Sequence, residues 1–294
     1  MTEKYQLEFT IPNGACDCHH HIYNPKEFDA TPYPAGMNWD GKPEHTMEDY
    51  RKLQFQSGFT RNVIIATSAY GYNRASDLDA LSKFGTNTTR VVGLLKKDIT
   101  DEELMELHNK GMRGSRGYFM TEETIEDYLS LAPRFAKMGW HLDFMFANNN
   151  ETELFLKHLP QLPCEIVISH QAGLHDVNDP YLPVFTKLLQ EKRIWMKLSA
   201  IFRPIDIMGD MAGNTVYADE IARNIAVGEK LIEAAPDRLL WGSDWPFNWS
   251  NFSAETDMET LMKVLPEQIK DEAVRHQILV ENPAIVYGFD NEKL

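Results

Sequence analysis

Asn62-Val63-Ile64-Ile65-Ala66-Thr67 is an apolar run without alternation, and its reading decides the fold. A strand with one wet face alternates apolar and polar residues. A parallel strand covered on both faces does not. Outward from this run, strand-like stretches recur at Gly14–Tyr23, Asn62–Ala69, Arg90–Lys96, Met112–Phe119, His141–Ala147, Cys164–His170, Ile194–Ala200 and Arg238–Trp245. Helix signatures separate them. Thr46 precedes Met47-Glu48-Asp49-Tyr50 and Thr100 precedes Asp101-Glu102-Glu103-Leu104, each a capping residue followed by acids in the first turn. Gly111 and Gly139 stand where a helix should stop before the next strand. Strands alternating with helices imply parallel βα units. Eight such units in 294 residues predict a distorted (β/α)8 barrel, one domain over residues 1–294, since such barrels take ~250 residues. The competing doubly wound sheet would carry a glycine-rich phosphate loop after an early strand, and none is present.

Composition is that of a globular chain, 43% hydrophobic and 25% charged. A net charge of -15 argues against nucleic acid or an anionic membrane as partner. The opening Met1-Thr2-Glu3-Lys4-Tyr5 lacks the basic and apolar regions of a signal peptide. No apolar run approaches the ~18 residues of a membrane span. Three cysteines (Cys16, Cys18 and Cys164) are an odd number, which favours reduced thiols and a cytoplasmic setting. Oligomeric state is open.

Polar residues gather where the strands end. The first closes on His19-His20-His21, in which period-two alternation puts His19 and His21 on one face and His20 on the other with Cys18. Side-by-side imidazoles can bind a metal, polarise a carbonyl or move protons. Thr67-Ser68 end the second strand and Ser169-His170 the sixth. Lys197 and Ser199 lie on the seventh with Arg203 beyond it, and Asp244 ends the eighth. On the fourth strand Arg116 faces inward and Arg113 outward by alternation. Lys197, deeper than Ser199, suits an internal ion pair. Long connections after the first and seventh strands, Asn24–His45 and Arg203–Val216, lie at the barrel face where active sites are built.

These strand ends resemble the amidohydrolase superfamily, in its amidohydrolase 2 branch. The resemblance rests on Asp17-Cys18-His19-His20-His21, Val167-Ile168-Ser169-His170, Trp241-Gly242-Ser243-Asp244-Trp245-Pro246 and Glu281-Asn282-Pro283-Ala284. Gly111-Met112-Arg113-Gly114-Ser115-Arg116 and Trp195-Met196-Lys197-Leu198-Ser199 are most similar to the lactonases of 2-pyrone-4,6-dicarboxylate and relatives that open or isomerise carboxylated lactones. The resemblance implies a hydrolase in which Asp244 activates water while His19, His21 and His170 polarise the lactone carbonyl. Arg116 and Arg203 would anchor the substrate carboxylate. Thr67, Ser68, Tyr33 and Asn148 are further candidates for touching the ligand.

Two departures bear on chemistry. Metal-using members supply a bridging lysine or glutamate from strand four, or a histidine from the end of strand five. Here those strands end Gly117-Tyr118-Phe119 and Phe144-Met145-Phe146-Ala147, and His141 sits at the opposite end of strand five. The lactonases that the chain resembles work without a metal, so the resemblance implies no cofactor, with a single zinc or other divalent ion on His19, His21, His170 and Asp244 as the alternative. Second, Glu122 replaces a further arginine six residues beyond Arg116, which weakens the case for the pyrone dicarboxylate itself. A lactone isomerase, a zinc-dependent decarboxylase or hydrolase, and a non-catalytic metabolite-binding barrel are the rival readings.

Overall fold

The computed structural model of the protein describes residues 3–29, 44–118, 124–174, 176–202, 217–247 and 254–290. Eight parallel strands follow one another in order around a single sheet. They are β1 (Cys16–His20), β2 (Arg61–Ile65), β3 (Thr89–Gly93), β4 (Met112–Tyr118), β5 (His141–Met145), β6 (Glu165–Ile168), β7 (Trp195–Leu198) and β8 (Leu239–Trp241). Closure comes just beyond the last strand. His20 bridges Trp245 in parallel, and His21 N–H donates to the Trp245 carbonyl at 2.8 Å. The expected (β/α)8 barrel is found, with every expected strand present but shorter.

The shortening lies mostly at the C-terminal ends and has a physical cause. After β6, β7 and β8 the backbone turns into the left-handed region, at His170 (φ 56°), Ala200 (φ 56°) and Asp244 (φ 62°). Such residues leave the ladder and aim side chains over the mouth instead of along a sheet face. Non-glycine residues occupy that region at a cost, and such strain clusters at functional sites.

Helices α1 (Met47–Ser57), α2 (Ala75–Phe84), α3 (Asp101–Lys110), α4 (Ile125–Met138), α5 (Asn149–His158), α6 (Leu182–Gln190), α7 (Tyr217–Ala234) and α8 (Ala254–Gln268) surround the barrel, and α9 (Glu272–His276) and α10 (Asn282–Tyr287) follow. Thr46 and Thr100 form capping boxes with Asp49 and Glu103, as their spacing implies. Among the described residues no helix is long and apolar enough to cross a membrane.

The strands divide their side chains between two cores. Ile64, Val91, Leu142, Ile166, Met196 and Leu239 pack in the large layer against the helices. Cys16, Cys18, Val63, Ile65, Val92, Val167 and Leu240 fill the barrel interior, closed below by Tyr287 and Phe289. The expectation for Cys18 is corrected here: it lies inside, not on the face of His20. Asp17 pairs with Asn62 and His20 with Ile64, so three steps on β1 oppose two on β2. The extra residue is a β-bulge, which breaks strict alternation. Cys18 and His19 both turn inward as a result. His20 points out, stacking on Tyr50 of α1 at 3.5 Å and bonding Asn62 Oδ1 at 3.0 Å.

Candidate active site

The bulge in β1 and the left-handed turns after β6 and β8 bring four of the expected residues to one point. The Nε2 atoms of His19, His21 and His170 lie 3.4, 3.5 and 3.7 Å from Asp244 Oδ1. The His19 ring sits 5.0 Å from that of His21 and 4.6 Å from that of His170. His19 and His21 come from the end of β1, His170 from the end of β6 and Asp244 from the end of β8, so only the barrel assembles them.

The chain after β8 is pulled tight against β1. A Cβ at Gly242 would stand 2.6 Å from His19 Cβ, closer than side chains pack, so only glycine allows the approach. Asp244 N–H then donates to the His19 carbonyl at 2.8 Å. Asp17 ties the seam from below. Its carboxylate accepts from Ser243 N–H (2.9 Å), Ser243 Oγ (2.6 Å), His19 N–H (3.1 Å) and Tyr50 Oη (2.9 Å). Burial nevertheless raises its pKa above the ordinary carboxylate value, those hydrogen bonds pulling the other way.

The outer nitrogens of the three rings have different partners. His21 Nδ1 meets the Ile65 carbonyl at 2.8 Å, and His170 Nδ1 meets Ser199 Oγ at 2.9 Å. His19 Nδ1 faces Lys197 Nζ at 3.2 Å and Ser169 Oγ at 3.3 Å. Lys197 is fully buried and paired with Asp143 at 2.5 Å, as expected of an internal ion pair, and Ser169 donates to the other oxygen of Asp143 at 2.6 Å. Burial alone would raise the Asp143 pKa. The Lys197 charge and the bonds from Lys197 and Ser169 outweigh it and hold that pKa below the ordinary value. The His19 pKa is driven far down by burial first, then by the charges of Lys197, His170, His21 and Arg116, so the ring is neutral.

Arg116 is buried on the interior side of β4, donating to the Ala66 carbonyl at 2.7 Å with its guanidinium 4.1 Å over the Tyr118 ring. Its charge reaches Asp77 of α2. Burial lifts Asp77 to about 7 against the pull of Arg116 and Arg74. Arg113 turns outward to the His108 and Met112 carbonyls. Thr67 accepts from Ala69 N–H at 3.3 Å, a local turn bond, and Ser68 is half-buried beside it. Asn148 is exposed and caps α5, its amide engaged with Glu151. Tyr33, Arg203 and Glu122 lie outside the described residues. Sequence reasoning passed over Asp143 and Asp77. Asp143 carried a signal: it is the one acid inside a strand otherwise read as buried.

His19, His170 and Asp244 each offer a ligand atom, all within 4.8 Å of one another, the spacing a divalent ion would need. His21, expected in the same set, falls outside it.

A parallel barrel with imidazoles and a carboxylate at the C-terminal mouth defines a class, the barrel hydrolases. The particular family is settled by its sequence model, "Amidohydrolase", which matches residues 16–289: the chain belongs to the amidohydrolase family. It is 29% identical to the 2-pyrone-4,6-dicarboxylate hydrolase of Comamonas testosteroni, covering 95% of this chain and 92% of that one. It is 27% identical to the 4-sulfomuconolactone hydrolase of Rhizobium radiobacter, over 96% and 92%. Among solved structures, Agrobacterium tumefaciens ATU3138 superposes with a TM-score of 0.78 at 22% identity, over 97% and 99% of the two chains. A Burkholderia multivorans amidohydrolase with bound zinc does so at 0.68 and 18%, over 94% and 99%.

Proposed function

We propose that this protein is a metal-independent lactonase that hydrolyses the ring ester of a small carboxylated substrate, of the sugar-acid lactone, muconolactone or pyrone carboxylate type. One observation carries the reading: three imidazole Nε2 atoms converge on Asp244 Oδ1 with a buried arginine in the same interior. Similarity to two lactone hydrolases over nearly the whole chain supports it.

Asp244 takes a proton from water, and the hydroxide adds to the lactone carbonyl carbon. The charge that develops on oxygen is met by imidazole N–H groups held in place beforehand, the usual source of acyl-transfer stabilisation. The ring C–O bond then breaks, and the proton held by Asp244 passes to the leaving oxygen. Water is consumed, and one hydroxyl and one carboxylic acid are formed, the acid ionising with release of a proton to solvent. Arg116, with Arg203 as its proposed partner, fixes the substrate carboxylate and the reacting distance. An isomerase would transfer the acyl group between hydroxyls without net water, and the carboxylate placed among the rings favours hydrolysis.

A zinc ion fits this donor set poorly. A ligating histidine gives its other ring N–H to a carboxylate, carbonyl or water. His21 has such a partner in the Ile65 carbonyl. His19 has an ammonium instead, which can only donate. The proposed reaction therefore runs without a metal. One barrel domain over residues 1–294, in the cytoplasm, completes the proposal; all three cysteines are free and buried.

The test is a screen of carboxylated lactones following acid release, with metal content measured on the same sample. Stoichiometric zinc lost together with activity on chelation would rule out the mechanism. Arg116→Met should cost a carboxylated lactone roughly ten- to a hundred-fold in kcat/KM, while its neutral ester barely changes, because only the former has a charge-assisted bond to lose. Equal losses would make Arg116 a barrel support.

A further inference from the structure

We infer that Lys197 is a positioning residue: held by Asp143, its ammonium keeps His19 in the tautomer that carries the proton on Nε2, so that His19 meets substrate as a hydrogen-bond donor. The inference rests on the lactonase reading for its purpose but not for its test.

Counting donors around His19 Nδ1 fixes its tautomer. The ammonium has three N–H groups and no lone pair. One points at Asp143 Oδ2 (2.5 Å) and another at His19 Nδ1 (3.2 Å). A proton on Nδ1 would set two donors head to head in a fully buried place. Ser169 pulls weakly the other way: its single O–H is spent on Asp143 Oδ1 at 2.6 Å, so it offers His19 lone pairs at 3.3 Å, a neutral contact that the charged ammonium at 3.2 Å outweighs. With Nδ1 the acceptor, a neutral His19 carries its proton on Nε2. That nitrogen is buried and without a hydrogen-bond partner within the protein, although Asp244 Oδ1 is 3.4 Å away. It is a donor waiting for an acceptor, which a lactone carbonyl supplies.

His21 is wired the opposite way. The Ile65 carbonyl can only accept, so His21 Nδ1 carries a proton and a neutral His21 presents a lone pair at Nε2. Two residues apart at the end of β1, the rings differ in what they show the mouth. This polarity places the carbonyl oxygen on the His19 side and leaves the His21 side for water and Asp244. It also accounts for a buried ion pair, an arrangement that seldom outperforms apolar packing for stability alone.

Nitrogen-15 NMR of histidine-labelled, ligand-free protein reads the tautomers directly, with His19 assigned by its loss in His19→Gln. The expected spectrum shows His19 with a bare Nδ1 and a protonated Nε2, and a proton on Nδ1 of His21. A protonated His19 Nδ1 overturns the inference, whatever the enzyme's substrate. A failed lactone screen with this spectrum intact would instead count against the lactonase reading alone. The second arm uses Lys197→Met combined with Asp143→Asn, which avoids a lone buried carboxylate. Freed of the ammonium, His19 should become a competent ligand. Zinc chloride should then bind about 10–100-fold more tightly by calorimetry than to the parent, the usual span for a changed outer partner. An unchanged tautomer with unchanged zinc affinity overturns the role of Lys197. Should the pair fail to fold, the parent spectrum decides.

Discussion

The two ends of the barrel use the same residue types for opposite ends. At the floor, arginines are tied to the chain's own carbonyls: Arg90 donates to those of Tyr287 and Gly288, and Arg61 to that of Asp290. His141 lies there against the Tyr287 ring, 5.3 Å between centroids. At the mouth, three histidines aim Nε2 at one carboxylate, and their other nitrogens are tied to the scaffold. The floor is therefore a seal and the mouth the proposed reaction centre. A buried histidine means little until its end of the barrel is known.

The sharpest way to break that contrast is Asp244→Asn. Asparagine tolerates the left-handed backbone at this position. The fold should persist by circular dichroism while kcat falls roughly 10²–10⁴-fold through loss of the base. A variant with near-parental kcat would remove Asp244 from the mechanism. At the floor the pattern should invert. Tyr287→Ala empties a fully buried aromatic site and should cost about 3–5 kcal/mol of stability in denaturant melts. The kcat of the remaining folded protein should hardly move, and a large fall would join floor and mouth into one functional unit.

The smallest effect is a pH dependence. Burial pushes His141 down to about 4 from an ordinary 6.5, Asp143 pulling it back up and Lys197 pushing it further down. Below 6.5 the unfolded chain takes a proton that the folded chain refuses. The stability set by neutral His141 is therefore complete above 6.5 and lost as pH falls from 6.5 towards 4. His141→Gln should flatten the decline of Tm across that window. Identical slopes for variant and parent would show that other buried groups, such as His20, govern the acid limb.

Local patterns sufficed for the architecture because they depend on near neighbours. The apolar run at Asn62–Thr67 needs both faces covered. The threonine caps at Thr46 and Thr100 each act within a single turn. His19, His21, His170 and Asp244 were legible as strand-end polar residues for the same reason, since in a parallel barrel all strand ends share one mouth. Strict alternation fails at Cys18 because a bulge is a fact of pairing between β1 and β2, and neither strand shows it alone. Asp143 drew no reading in β5, and its role emerged only where β7 brought Lys197 to it. The wiring of His19 depends on a lysine 178 residues away. The chain's own letters determined a barrel and the residues at its mouth. Which nitrogen of each imidazole carries a proton was decided only when distant strands closed, because a tautomer follows from the partner on the far side of the ring.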